Sequence, residues 1–230
     1  MGRWRKASSI QIRSSGDNPY CSSPGRIALY GDTGEKSTHK SPTASSVATL
    51  KSGLPLPQFT PAPPILRRDA FDHDDYILEL KMDGFRALAY VGEDQTRLVS
   101  RNGNAFKRFT ELACAIHIDL DCQAVLDDEI VILDDEGRPQ FYELLRRRGR
   151  GEPAFYAFDV LWLDGEDLRE RPLVERKALL RKLVPKQPCI LLYADHIERN
   201  GTEFFRLTCD RDLEGIFADG IDIRQEPEGY

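Results

Sequence analysis

Apolar and polar side chains alternate over residues 76–80, and a second apolar run covers 87–91. A period of two marks strands. The Asp83-Gly84 pair between the runs is of the kind that tight turns favour, so the stretch predicts a hairpin with Lys81 at its lip. The alternation also sets Glu79 and Lys81 on one face, aiming a carboxylate and an amine into one pocket. Further strands are predicted at 97–101, before the Asn102-Gly103 turn, at 122–133, at 154–163, closed by Asp164-Gly165, at 190–194, and as short pieces at 214–218 and 221–224. Helices are predicted at 110–118, capped by Thr110, at 141–148, with a basic end, at 173–184, where Leu173, Leu180 and Leu183 share a face between Pro172 and Pro185, and at 201–207. No internal repeat interrupts the series. The pattern is that of an α+β chain, antiparallel sheets with flanking helices.

The first 56 residues break this pattern. They are rich in Ser, Thr, Gly and Pro, with few and unpatterned aromatic or branched residues, and such a stretch buries too little apolar area to offset the entropy of ordering. The prolines between Leu54 and Pro64 exclude helix. Residues 1–58 are therefore expected to form a disordered tail, with order beginning near Ile65 and one domain over 59–230.

Charge and cysteine usage narrow the function classes. Residues 1–58 carry 8 Lys/Arg against 3 Asp/Glu, a balance of +5, and the remainder carries 24 against 35, a balance of −11. An acidic body does not by itself favour DNA, because phosphate neutralisation dominates that affinity. Contact with DNA then requires a local patch, the tail or a separate module. Arg146, Arg147, Arg148 and Arg150 form a short basic cluster that suits DNA phosphates, or equally a solvated helix end. Five scattered cysteines without Cys-x-x-Cys spacing argue against a disulfide framework or a zinc site and fit a reducing cytoplasm. No apolar run approaches the roughly 20 residues that cross a bilayer.

The hexapeptide Lys81-Met-Asp83-Gly84-Phe-Arg86 resembles the nucleotidyl-transfer motif of ATP-dependent DNA ligases, a group that extends to RNA ligases and messenger RNA capping enzymes. Later segments continue the resemblance in order: Ser100-Arg101-Asn-Gly103, Leu126-Asp-Asp-Glu129, Phe158-Asp159-Val-Leu161 followed by Pro172-Leu-Val-Glu175-Arg176, and Leu213-Glu214-Gly215-Ile216. Five segments in the right order are far more specific than any one. The likeness is strongest to bacterial ligases of the end-joining, ligase D type, which implies an ATP-grasp-like nucleotidyltransferase domain.

The resemblance implies that Lys81 takes AMP from ATP as lysyl-AMP and passes it to the 5′-phosphate of nicked double-stranded DNA. The chemistry of the residues agrees. An attacking amine must be neutral, whereas a lysine ordinarily titrates near about 10.4, so nearby cations, a bound metal or partial burial must lower it. Arg86, Arg101 and a divalent cation are available for that. Arg101 is expected on the nucleotide phosphates, Glu129 near the ribose and metal, and Phe158 on the adenine ring. Glu79 suits the adenine amino group as an acceptor. Magnesium prefers oxygen ligands, and Glu129, Glu214 and Asp83 are the candidates. The chain is expected to work as a cytoplasmic monomer with ATP and Mg2+, without membrane association.

Two departures limit the expectation. Alignment of Glu214-Gly215-Ile216-Phe217-Ala218 on the family's Glu-Gly-x-Val-x-Lys places Asp219 where a lysine holds the α-phosphate. The final lysine motif and the oligonucleotide-binding barrel that usually follow are absent from the 230 residues. A C-terminally truncated adenylation domain is expected, with weak or no complete ligation by this chain alone. The alternatives are a decayed nucleotide- or DNA-binding remnant and, third, a guanylyl-transferring enzyme of the capping type.

Overall fold

The computed structural model describes residues 10–13, 56–59, 64–146, 151–186 and 190–221. In chain order the elements are β1 (Ile10–Arg13), β2 (Ile65–Arg67), β3 (Tyr76–Lys81), β4 (Phe85–Val91), β5 (Thr96–Ser100), α1 (Thr110–Asp119), β6 (Ala124–Ile132), α2 (Phe141–Leu145), β7 (Pro153–Leu163), β8 (Glu166–Asp167), α3 (Leu173–Leu183), β9 (Leu191–Tyr193), β10 (His196–Glu198), α4 (Gly201–Asp210) and β11 (Gly215–Gly220). They build two sheets, one in the order β10-β3-β11-β1-β2, the other β5-β4-β6-β7-β8 with β9 also on β7. Every pair is antiparallel except β1 with β2 and β7 with β9. The α+β class read from the sequence stands.

Alternation sends each strand's two sides to different cores. On the second sheet, Ala87, Ala89, Leu126, Ile130, Phe155 and Ala157 pack beneath Leu112 and Ile116 of α1, Leu144 of α2 and Leu180 of α3. The opposite face carries Leu88, Tyr90, Val125, Leu161 and Trp162, covered by Leu56 and Phe59. On the first sheet, Ile12, Leu78, Ile216 and Ala218 pack against Phe205 and Cys209 of α4. Ile77, on the other side of β3, meets Leu173 of α3. Each fully buried Leu, Ile or Phe among these contributes about 1.5–3 kcal/mol. Helix α3 therefore touches both sheets, and Glu79 and Lys81 share the Ile77 side of β3.

The structure differs from the sequence reading in three places. First, β3 and β4 do not form a hairpin: β3 pairs with β10 and β11, and β4 with β5 and β6. Residues 82–84 cross from one sheet to the other, and Gly84 serves close approach, because a Cβ there would run into the Ile130 carbonyl. Second, Ile10–Arg13, expected in the tail, form β1 between β11 and β2, with Ile12 fully buried. Third, α2 ends at Leu145 and α4 continues to Asp210. Arg147, Arg148 and Arg150, most of the expected strand at 221–224, and the rest of the expected tail before Leu56 lie outside the described residues.

Candidate active site

Lys81 ends β3, and β11 runs beside it with Gly215 opposite Lys81, which brings Glu214 alongside the amine. The ammonium pairs with Glu214 Oε2, donates to the Met82 carbonyl at 3.5 Å and lies 5.8 Å from the centre of the Phe217 ring. Its side chain is 12% exposed, so the amine is sheltered yet reachable. The other oxygen of Glu214 is 3.9 Å from Arg13 Nε, a cation delivered by β1. Glu129 comes from β6, opposite Arg86 of β4. Burial pushes the Glu129 carboxyl up to about 7; Lys81 and Arg86 pull it down, and Glu214 and Asp83 push it up. Asp83 is raised as well, by burial first and then by Glu214. Three carboxylates thus converge on one amine. Among the described residues, no three His, Cys, Asp or Glu stand at ready-made metal-binding spacing.

Arg86 is fixed as a fork on Asp127, with Nε to Oδ1 at 3.0 Å and Nη2 to Oδ2 at 2.8 Å. Its guanidinium lies 5.5 Å from the centre of the Phe158 ring. Phe158 is half-buried at a register shift of β7, where Asp127 faces Asp159 and Asp128 faces Ala157. That leaves Phe158 as the extra residue of a bulge, a device that re-aims a side chain. Its N–H donates instead to Asp128 Oδ1 at 3.2 Å. Asp128 is fully buried, and its Oδ2 has no partner among the described residues. Burial, then the neighbouring Asp127, hold its carboxyl well above the ordinary range.

Glu79 is also buried, and its Oε1 pairs with Lys177 of α3. Lys177 donates as well to the carbonyls of Phe158, at 3.2 Å, and Ala194, at 3.0 Å. Beside it, Arg176 holds Asp159 in a buried fork at 2.9 and 2.8 Å. Sequence reasoning passed over Lys177. The available signal was its position: Leu173, Arg176, Lys177 and Leu180 follow helical spacing, and all four are buried.

Lys81, Asp83, Arg86, Glu129 and Glu214 are thus brought together, and Glu79 and Phe158 are joined to each other through Lys177. Arg101 stands exposed in the turn after β5, one step beyond the Ala87–Ser100 pair and so at the Arg86 end of the sheet. Arg146 pairs with Glu143 at 2.6 Å on the surface. Asp219 lies opposite Ile77, and its charge reaches both Glu79 and Arg86. An amine beside carboxylates that could share a cation, with a guanidinium and an aromatic ring close by, is a candidate site for a nucleotide phosphate.

Over residues 64–228 the sequence matches the family described as ATP dependent DNA ligase domain. The chain belongs to that family. DNA ligase C of Mycobacterium tuberculosis is 35% identical over 185 residues, which cover 73% of this chain and 51% of that protein. The multifunctional non-homologous end joining protein LigD of Pseudomonas aeruginosa is 34% identical over 150 residues, 63% of this chain and 18% of its own length. A solved structure of mycobacterial DNA ligase D complexed with ATP and MES aligns with a TM-score of 0.58 at 28% identity, covering 69% of this chain and 52% of that one. This member of the ligase family therefore spans about half the length of DNA ligase C. Strand β1 lies outside the residues the family matches. No helix among the described residues is long and apolar enough to cross a membrane.

Proposed function

We propose that this chain is the adenylylating part of an ATP-dependent DNA ligase. The observation that supports this most is the Lys81 amine, sheltered between β3 and β11 and paired with Glu214. The lysine loses its proton to the carboxylate in contact with it, Glu214. Its Nζ then attacks the α-phosphorus of ATP, an N–P bond forms, the bond to the bridging oxygen breaks and pyrophosphate leaves. AMP passes from the lysine to the 5′-phosphate of a DNA nick. Arg86 and Arg101 compensate charge on the phosphates, Phe158 packs on the base, and Glu79 accepts from its amino group.

Glu129 and Asp83 would hold a magnesium ion beside Glu214, since both offer oxygen and the charge of Glu214 raises the proton affinity of each. When bound, the ion supplies charge neutralisation at the phosphates. Incubation with ATP labelled at the α-phosphate, with magnesium, tests the first step. Wild type takes a covalent label and Lys81→Ala takes none; an equal label on both overturns the reading. Nick sealing by the chain alone is a separate assay with a radiolabelled nicked duplex.

One observation favours a second reading, a nucleotide- or DNA-binding remnant without transfer activity. Asp219 places a carboxylate within electrostatic reach of Arg86 and Glu79, where the family's pattern has a lysine. A remnant binds ATP or nicked DNA and gives no label.

A further inference from the structure

We propose that Lys177 is a positioning residue for base recognition, holding Glu79 as the acceptor that distinguishes adenine from guanine; this rests on the nucleotide reading of the site. An ammonium has three N–H donors, and Lys177 spends them on partners from three places: Glu79 Oε1 on β3, the Phe158 carbonyl on β7, and the Ala194 carbonyl between β9 and β10. Its nitrogen also lies 5.1 Å from the centre of the Tyr193 ring. One side chain therefore ties Glu79 to the backbone of Phe158, the acceptor to the stacking ring. A fully buried lysine interrupting an apolar helix stripe is costly unless paired, so its placement asks for a reason beyond packing.

Base chemistry supplies that reason. At the same ring position adenine presents an amino donor and guanine a carbonyl acceptor. A carboxylate bonds the first and repels the second. With Oε1 held by Lys177, Oε2 is the oxygen left for the base. Without the ammonium, Glu79 takes a proton more readily: burial already pushes it up to about 7, Lys177 pulls against this, and Asp219 and Asp159 add to the rise. A protonated carboxyl donates, and guanine then competes.

The test measures ATP and GTP binding to the full chain by titration calorimetry, beside covalent labelling from each. Wild type binds ATP more tightly. Lys177→Met weakens ATP and lowers the ATP-to-GTP preference by about tenfold or more, the worth of one hydrogen bond to a charged group, and Glu79→Gln does the same. The double variant, which leaves no unpaired buried charge, loses no more preference than either single one and keeps the readout if Lys177→Met does not fold. A preference that survives Lys177→Met, with affinity for both nucleotides falling together, shows a merely structural cross-link and overturns the proposal. So does a wild type that binds both alike. A wild type that prefers ATP and takes no label overturns the lysyl-AMP reading and leaves Lys177 to be judged by the binding ratio.

Discussion

Lys81 and Glu214, 133 residues apart in the chain, meet as an ion pair where β3 and β11 run side by side. The carboxylate beside the amine gives its proton somewhere to go when the nitrogen attacks. Glu214→Gln keeps the shape and removes the acceptor. Single-turnover labelling from ATP at saturating magnesium is expected to slow by about a hundredfold, the usual scale for one general base. An unchanged rate removes Glu214 from proton transfer.

Asp219 acts on the same reaction from the other end of β11, where its charge reaches Arg86 and Glu79. Asp219→Lys replaces a repelling charge with an attracting one near the phosphates. Labelling is expected to rise by about tenfold or more, as for other charge-stabilising donors, with tighter ATP binding. A fall in both shows that Asp219 serves this site as it stands.

Buried carboxyls make the fold less stable as pH rises towards neutrality. Burial lifts Glu79 and Glu129 from their ordinary value of 4.5 to about 7, and lifts Asp128 well above its own. Groups with raised folded values bind protons that the unfolded chain has already lost, so stability falls as pH rises from the unfolded value through the folded one. Tm is expected to drop between about pH 4.5 and pH 7, and Glu129→Gln to flatten part of that slope. A Tm that rises over this interval contradicts the burial of these groups.

Strand β1 is expected to be part of the fold, not an ornament. Ile12 is fully buried among Leu78, Phe205 and Ile216, and Ile12→Ala should cost about 3 kcal/mol in urea unfolding, from lost transfer energy and the cavity left behind. A loss no larger than an exposed substitution gives would mean that the strand is not docked in solution.

Two Asp-Gly pairs show what the sequence could and could not tell. At Asp164-Gly165 both residues have positive φ, 45° and 96°, and Leu163 pairs with Glu166 across the turn, the hairpin that the dipeptide announces. At Asp83-Gly84 the same dipeptide joins two sheets, because what is needed there is room beside the Ile130 carbonyl. Local signals report a turn's chemistry; which strands meet depends on partners far along the chain. The gathering of Lys81, Arg86, Glu129 and Glu214 was legible because spaced motifs mark each of them. Lys177 was hidden in a helix whose charged residues pass for a solvated face, and β1 in four apolar-polar residues within a long Ser/Gly-rich stretch.

The proposed chemistry requires one amine to become covalently nucleotidylated. Incubation of the full chain with ATP and magnesium, followed by proteolysis and mass spectrometry, locates any adduct directly. AMP is expected on the peptide containing Lys81 and on no other; AMP on another residue, or none at all under conditions where ATP binds, contradicts the lysyl-AMP chemistry.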